Sequence, residues 1–284
     1  MQIIKLDSGK NYILKAGAVI DGRQGNIMQG GNIFIAGGLI AALSPGDDFP
    51  FTHPFHPCRE TVRLDMAGLT LMPPLVDCHV HLALDGKDFA AACQRWEQPD
   101  QIARQVQEEL ADTMARGILA VRDGGDRAGV SLAAREQVKT GRWSGPVIRS
   151  PGFALRKPGA YGSFLGSGLE MAKLGQQLDY LVQNKVDLVK VIVSGVVSFK
   201  EYGRVGPVQF SAAELAAIVR GARTRGLPVM AHASSETAVR LALTAGVDTV
   251  EHGYFLSRES LQQMAEQDIA WVPTVIPVAA GTRK

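Results

Sequence analysis

The side chains best suited to chemistry in this sequence are four of its six histidines. His79 and His81 lie at the end of an apolar run, and a strand would point both to one face with Cα atoms about 6–7 Å apart. That spacing suits two imidazoles that bind one metal ion. His232 and His252 each end a later apolar run. The alternatives are a solvated strand end for the first pair and a backbone contact for the second.

Lys190 is a fifth candidate, because it interrupts the apolar segment that runs from Leu188 to Val193. A buried ammonium is costly and tends to lose its proton. The alternative is a structural lysine that is paired with an acid. The other two histidines, His53 and His56, fall in an irregular stretch, where we expect them to be solvated or bonded within a loop.

The elements that must position these residues change in character along the chain. Residues 12–72 contain short apolar runs between glycine-rich turns, which predicts a small, β-sandwich-like domain over residues 1–72. Pro73 and Pro74 then form a stiff link. From residue 75 apolar strands alternate with amphipathic helices, which is typical of an α/β fold whose parallel sheet is buried on both faces.

Seven strand–helix repeats over residues 73–284 favour a (β/α)8 TIM-type barrel that lacks its last strand–helix unit. A doubly wound sheet is less favoured, since no Gly-x-Gly-x-x-Gly follows any strand. Active sites of such barrels lie at the carboxyl ends of the strands. His79 and His81 fall on the first strand, Lys190 on the fourth, His232 on the fifth and His252 on the sixth. We therefore expect them to share one site.

Composition limits the remaining possibilities. The net charge of +2 and the hydrophobic fraction of 46% give no reason to expect a nucleic-acid or membrane partner. The first residues lack the apolar stretch of a signal peptide. The three cysteines, Cys58, Cys78 and Cys93, are unpatterned and favour a reducing, cytoplasmic location. We expect Cys78 to be a small buried residue, because it alternates away from His79.

Six stretches carry a family resemblance. The sequence resembles the amidohydrolase superfamily of metal-dependent hydrolases, and more closely its imidazolonepropionase and Xaa-Pro dipeptidase (prolidase-like) group. The similar stretches are residues 75–82, 113–125, 189–191, 231–233, 245–253 and 272–274.

The resemblance implies roles for the five candidates. His79 and His81 would bind the more buried metal, and His232 and His252 the second. Lys190, converted to a carbamate, would bridge two ions, which we expect to be zinc, with manganese, iron or cobalt as alternatives. A hydroxide between the ions would hydrolyse a C–N bond in a small-molecule substrate, a dipeptide or N-acyl amino acid.

One feature departs from the superfamily pattern, in which an aspartate ends strand eight, contacts the metal and shuttles a proton. No Asp or Glu follows Trp271, so that aspartate is absent from this chain. We therefore expect a truncated member with very low activity. The last helices should be missing, and the open strand edges should favour a homo-oligomer.

Three weaker candidates could bind substrate: Arg122, Tyr161 and Tyr202. Arg122 could anchor a carboxylate, although a salt bridge with Asp123 is slightly preferred, and loop packing is an equal alternative for the tyrosines. Two other functions stay open. One is a cyclic amide or amidine hydrolase, similar to imidazolonepropionase or a deaminase, although Lys190 favours the binuclear dipeptidase-like chemistry. The other is a metal-binding protein without activity.

Overall fold

The computed structural model describes residues 6–22, 25–45 and 60–282. The predicted loop that contains His53, His56 and Cys58 lies outside these ranges. The chain forms two compact units, Met1–Leu75 and Val76–Lys284, which are described separately.

The first unit contains one four-stranded sheet. Its strands are β1 (Asn11–Ile20), β2 (Ile27–Ala36), β3 (Leu39–Ser44) and β4 (Thr61–Leu71), in the order β3-β2-β1-β4. Gly37 and Gly38 have φ angles of 58° and 79°, and they form the two-residue turn between β2 and β3. Strand β4 continues without a break across Gly68. The described residues of this unit contain no second sheet.

The second unit is an α/β fold of alternating strands and helices, as the sequence predicts. Its strands are β5 (Leu75–Val80), β6 (Ile118–Asp123), β7 (Val147–Arg149), β8 (Ala154–Leu155), β9 (Val189–Ile192), β10 (Val229–Ala233), β11 (Thr249–His252) and β12 (Ala270–Val272). They form two sheets with the sequential orders β5-β6-β7 and β8-β9-β10-β11-β12.

Neighbouring strands from β8 to β12 are parallel, and β6 is parallel to β7. The change of sheet falls between β7 and β8, which only residues 150–153 separate. Strand β8 was not predicted, because two residues are too short a run for a periodic pattern. β8 matters to the site, since Ala154 pairs with Lys190 on β9.

Eight α-helices lie within the described residues of this unit. They are α1 (Phe89–Arg95), α2 (Pro99–Ala115), α3 (Val130–Lys139), α4 (Leu174–Gln183), α5 (Ala212–Arg223), α6 (Glu236–Ala245), α7 (Arg258–Glu266) and α8 (Val275–Thr282). A capping box begins α5: Ser211 Oγ accepts the Glu214 N–H, and Glu214 Oε2 accepts the Ser211 N–H at 2.7 Å. None of the helices in the described ranges is long and apolar enough to cross a membrane.

Helices α1 and α8 were not predicted. No helix was predicted directly after Trp271, whereas Val275–Thr282 is helical. Pro277 falls in its first turn, where proline is tolerated because the missing N–H would have no intrahelical acceptor.

The main core lies where α4, α5 and α6 cover strands β9 to β11. Every residue of β9 and β10 is buried, which explains their near-continuous apolar sequences. Lys190 is the exception in β9, because it is charged in ordinary solution yet only 1% exposed.

Candidate functional site

The structure brings all four predicted histidines into one cluster. The ring centroid of His79 lies 5.4 Å from that of His81 and 5.0 Å from that of His252. The rings of His232 and His252 are 4.3 Å apart. Strand register accounts for the second pair, because Ala233, next to His232, lies opposite His252 in the parallel β10–β11 pair.

An unusual backbone conformation places His252 in this cluster. Successive side chains of a regular strand point to opposite faces, yet both Glu251 and His252 approach His79. His252 has a φ of 73°, in the left-handed region that non-glycine residues rarely adopt. Thr274 also has a positive φ, 47°, and its hydroxyl lies 2.7 Å from His252 Nδ1. Strain of this kind is typical of functional sites.

Each of the four rings has one nitrogen engaged by a protein oxygen. The contacts are His79 Nδ1 to Glu251 Oε2 at 2.6 Å, His81 Nδ1 to the Gly125 carbonyl at 3.3 Å, His232 Nε2 to the Gly195 carbonyl at 3.4 Å, and His252 Nδ1 to Thr274 Oγ1 at 2.7 Å. Metal-binding histidines show this pattern, in which one nitrogen donates to an acceptor and the other stays free to bind.

The histidines are held in the neutral form that binds metals. Burial, together with the charge of the nearby Lys190, lowers the pKa of His81 to about 4 and that of His232 to about 3. An imidazole that is neutral at physiological pH has a lone pair to offer.

Lys190 is buried beside these rings. No group among the described residues lies within hydrogen-bond distance of its Nζ. Burial lowers the pKa of this amine to about 8, although the Glu251 carboxylate raises it. The pairing with an acid that was the alternative for Lys190 is therefore not found as a direct contact. An amine without a partner in a protein interior requires an explanation.

The cluster borders a cavity of about 220 Å³. Most of its wall is apolar, and its titratable nitrogen groups come from His81, Lys190, His232 and His252. The other lining residues are Tyr161, Phe164, Leu165, Val196, Val197, Phe199, Ser234, Tyr254 and Pro277. A small cavity with apolar walls and a few convergent polar groups is typical of a small-molecule site.

Tyr161 is the one weaker candidate that lines this cavity. Its ring centroid lies 5.7 Å from that of His232, and burial raises the pKa of its hydroxyl. Tyr202 is 97% exposed, and its ring instead packs against Phe255. The structure therefore does not bring Tyr202 to the cavity.

Arg122 also lies away from the cavity. Its Nη2 donates to Glu251 Oε1 at 2.9 Å and its Nε to the Cys78 carbonyl at 2.9 Å. The preferred partner, Asp123, instead accepts the backbone N–H groups of Leu82 and Gly125. The expectation for Cys78 was wrong as well: it is exposed, because β5 is the end strand of its sheet.

Sequence reasoning missed three residues that support the cluster. Glu251 is fully buried against His79, and Asp123 is buried against the residue that follows His81. Burial raises the pKa of Asp123 to about 7. A Cβ on Gly124 would lie 2.4 Å from His81 Cε1, so the ring fits only beside a glycine. The sequence contains one signal that could have identified two of them: Asp123 and Glu251 are acidic residues at the ends of apolar strands.

The fit to a metal rests on donor chemistry. Within residues 6–22, 25–45 and 60–282, no three His, Cys, Asp or Glu side chains hold a preformed metal-binding arrangement. The cluster nevertheless offers four neutral imidazoles with one free nitrogen each, together with an unpartnered buried amine. Imidazole is a preferred ligand of zinc and of several other transition metals.

Comparison with known proteins identifies the family of this chain. The model of the "Amidohydrolase family" matches residues 70–277. Ochratoxinase of Aspergillus niger is 24% identical over 96% of this chain and 60% of its own length. Imidazolonepropionase of Pseudomonas aeruginosa is 24% identical over 88% of this chain and 64% of its own. The crystal structure of a prolidase complexed with N-methylphosphonate-L-proline is 25% identical, with a TM-score of 0.77 over 94% of this chain and 67% of that one.

The chain thus spans about 60% of the length of the curated ochratoxinase that it matches. The family model alone covers well over half of the residues. The chain belongs to the amidohydrolase family.

Proposed function

We propose that this protein hydrolyses a C–N bond in a small molecule, with a metal centre held by His79, His81, Lys190, His232 and His252. The observation that carries the proposal is a cluster of four imidazoles, each with one engaged nitrogen, beside a cavity that the buried and unpartnered Lys190 also lines. The substrate class that fits best is a peptide-like or N-acyl amide. Relatives named ochratoxinase and prolidase support it.

We also propose that strands β5 to β12 belong to one barrel. The sequential strand orders of the two sheets support a (β/α)8 TIM-type barrel, in which β7 and β8 are two parts of the third strand. Strands β5 to β12 then supply the first seven barrel strands. Residues 1–72 form the small β domain and residues 73–284 the hydrolase domain.

Lys190 is the one proposed ligand that must be covalently modified before it can bind metal. Its amine nitrogen would attack carbon dioxide and release a proton, which yields a carbamate with one negative charge. The lowered pKa supports this step, because only the neutral amine is nucleophilic. The carbamate would supply oxygen ligands shared by two ions, zinc being the expected metal. When bound, the metal would polarise a carbonyl and lower the pKa of water.

The remaining roles belong to the cavity wall. Phe164, Val197 and Phe199 would exclude water and receive an apolar substituent of the substrate. Tyr161 keeps its proton at neutral pH, because its pKa is raised, and it would donate a hydrogen bond to a substrate oxygen. No Asp or Glu of the described residues lines the cavity, so a positioned acid, worth about 10²–10⁴ in rate, is missing from its wall.

A cyclic amide or amidine hydrolase is the second candidate, because imidazolonepropionase is among the relatives. Lys190 favours the first candidate, since a single ion would need no bridging ligand. A third outcome is a metal-binding protein without turnover, which the absence of a carboxylate from the described cavity wall supports.

The test is hydrolysis by the 284-residue chain loaded with Zn²⁺. Product formation is followed on N-acyl amino acids and dipeptides with apolar side chains, and on cyclic amides. We expect slow turnover of the linear amides, which a chelator and His232→Ala abolish. Turnover that survives either treatment would contradict the proposal. Bound metal with no turnover of any amide would select the non-catalytic alternative.

A further inference from the structure

Glu251 is the most completely enclosed charged side chain beside the histidine cluster, since its exposed fraction is 0%. A carboxylate buried in this way is costly unless hydrogen bonds compensate it. Both of its oxygens have donors. Oε1 accepts from Arg122 Nη2 at 2.9 Å and from Thr249 Oγ1 at 2.7 Å, and Oε2 lies 2.6 Å from His79 Nδ1.

The donors on Oε1 are themselves held in place. Arg122 Nε donates to the Cys78 carbonyl at 2.9 Å, and Arg122 Nη1 donates to Thr249 Oγ1 at 3.2 Å. The network thus joins β5, β6 and β11 around one carboxylate. The contacts to Oε1 fix the orientation of the Glu251 carboxylate, so that Oε2 faces the His79 ring.

This arrangement determines which nitrogen of His79 carries the proton. A carboxylate can only accept, so Nδ1 must be the donor and Nε2 keeps its lone pair. Glu251 differs from the other acceptors in the cluster, because His81 and His232 contact backbone carbonyls and His252 contacts a hydroxyl. Only His79, among the four rings, is paired with a full negative charge.

We infer that Glu251 is a positioning residue, which fixes the tautomer and orientation of His79 and raises its strength as a metal ligand, with Arg122 and Thr249 holding the carboxylate in place. The inference rests on the proposed metal centre. It also removes Glu251 from consideration as a proton donor to substrate, because the residue does not line the cavity and both of its oxygens are occupied.

The decisive variant is Glu251→Gln, which keeps the shape of the side chain. Arg122 and Thr249 both donate, so the amide oxygen must face them and the NH₂ group must face His79. The proton of His79 then moves to Nε2, the nitrogen that should bind metal. We expect Zn²⁺ affinity, measured by calorimetry on chelator-treated protein, to fall by about 10–100-fold.

A second measurement and a control variant separate this role from a merely structural one. In the metal-free protein labelled with ¹⁵N-histidine, the His79 signals, assigned by their loss in His79→Gln, should change from the Nδ1–H to the Nε2–H tautomer. Asp187→Asn is the matched control, since Asp187 also accepts from two arginines, Arg135 and Arg149, but lies away from the cluster. It should leave the Zn²⁺ affinity unchanged.

Wild-type affinity and an unchanged tautomer in Glu251→Gln would overturn the inference while leaving the metal centre intact. Absence of Zn²⁺ binding by the wild-type chain would instead refute the proposed function, and the tautomer measurement would still decide the role of Glu251. If Glu251→Gln does not fold, Thr249→Val removes one donor to the carboxylate at constant shape. An affinity loss in that variant supports the inference, and wild-type affinity overturns it.

Discussion

At the residue scale, two buried polar atoms of the second unit share an unusual property. Lys190 Nζ and Ser234 Oγ both lack a hydrogen-bond partner among the described residues, and both side chains line the cavity beside the histidines. A buried polar group without a partner costs about 1–3 kcal/mol. Retaining two such groups at one place is understandable if a ligand supplies their partners.

The hydroxyl of Ser234 therefore should not stabilise the unliganded protein. We expect Ser234→Ala to raise the free energy of unfolding by about 1 kcal/mol, because it removes an unsatisfied group. Ser194→Ala is the matched control: Ser194 Oγ accepts the Ser234 N–H at 3.0 Å, and its loss should cost about 1–3 kcal/mol. Urea denaturation of metal-free protein measures both. A loss of equal size in Ser234→Ala would show that its hydroxyl has a partner.

Tyr161 is the second residue with a predicted effect. Its hydroxyl should contribute one neutral hydrogen bond to the substrate, so Tyr161→Phe should lower kcat/KM for an N-acyl amino acid by about 2–10-fold. Tyr202→Phe is the control and should have no effect, since that side chain is 97% exposed. The interpretation fails if both variants behave alike in the same assay.

At the element scale, the turn that follows β6 limits the position of His81. A Cβ on Gly124 would lie 2.4 Å from His81 Cε1 and 2.8 Å from Nε2, so Gly124→Ala must displace the ring. A site is productive only when its groups stay within about 0.5 Å of their required positions. We expect Zn²⁺ affinity, measured by calorimetry, to fall about tenfold or more.

Gly175→Ala is the matched control for that substitution. Gly175 lies in α4, and none of the atoms in the described ranges is within 4 Å of its added Cβ. Its Zn²⁺ affinity should equal that of the wild type, and its stability should rise by no more than about 1 kcal/mol. Normal affinity in Gly124→Ala would mean that His81 is not held by this turn.

Periodicity and capping made most elements of the second unit predictable. Helix α2 has buried apolar residues at Ile102, Val106 and Leu110, and Ser211 begins a capping box, so local sequence determines both. The clustering of the histidines followed from their places at strand ends. Strand β8 and helices α1 and α8 are too short or too weakly periodic for such a prediction.

The contacts that support the histidines could not be predicted. Glu251 and His79 are 172 residues apart, and their contact depends on the order of the strands. The approach of His252 to His79 depends on the left-handed backbone at His252. Neither feature has a local pattern in the sequence. The same holds for Arg122, whose partner is the Glu251 carboxylate on β11, 129 residues away along the chain, and not the adjacent Asp123.

At the scale of the whole molecule, strand edges that have no partner within the described residues favour self-association. β5 and β12 are end strands of their sheets, and Val76 on β5 is 59% exposed. Unpaired, apolar strand edges are templates for pairing between chains. We propose that the protein forms homo-oligomers, and we expect Val76→Lys to shift it toward the monomer in light scattering.

Leu261→Lys is the control for this substitution, since Leu261 is a partly exposed apolar residue on helix α7 rather than on a strand edge. It should leave the oligomeric state unchanged. A wild-type chain that is monomeric at all concentrations tested would refute the proposal. The cytoplasmic location stays a prediction that rests on the cysteine pattern.

The central claim is that His79, His81, Lys190, His232 and His252 form one binuclear metal centre. The most direct test is the number of Zn²⁺ ions bound per chain, measured by elemental analysis after loading in the presence of bicarbonate and removal of excess metal. The account predicts close to two ions in the wild type and a loss of bound metal in Lys190→Ala, because the bridging ligand is gone. One ion or none in the wild type, with no change in Lys190→Ala, would contradict it.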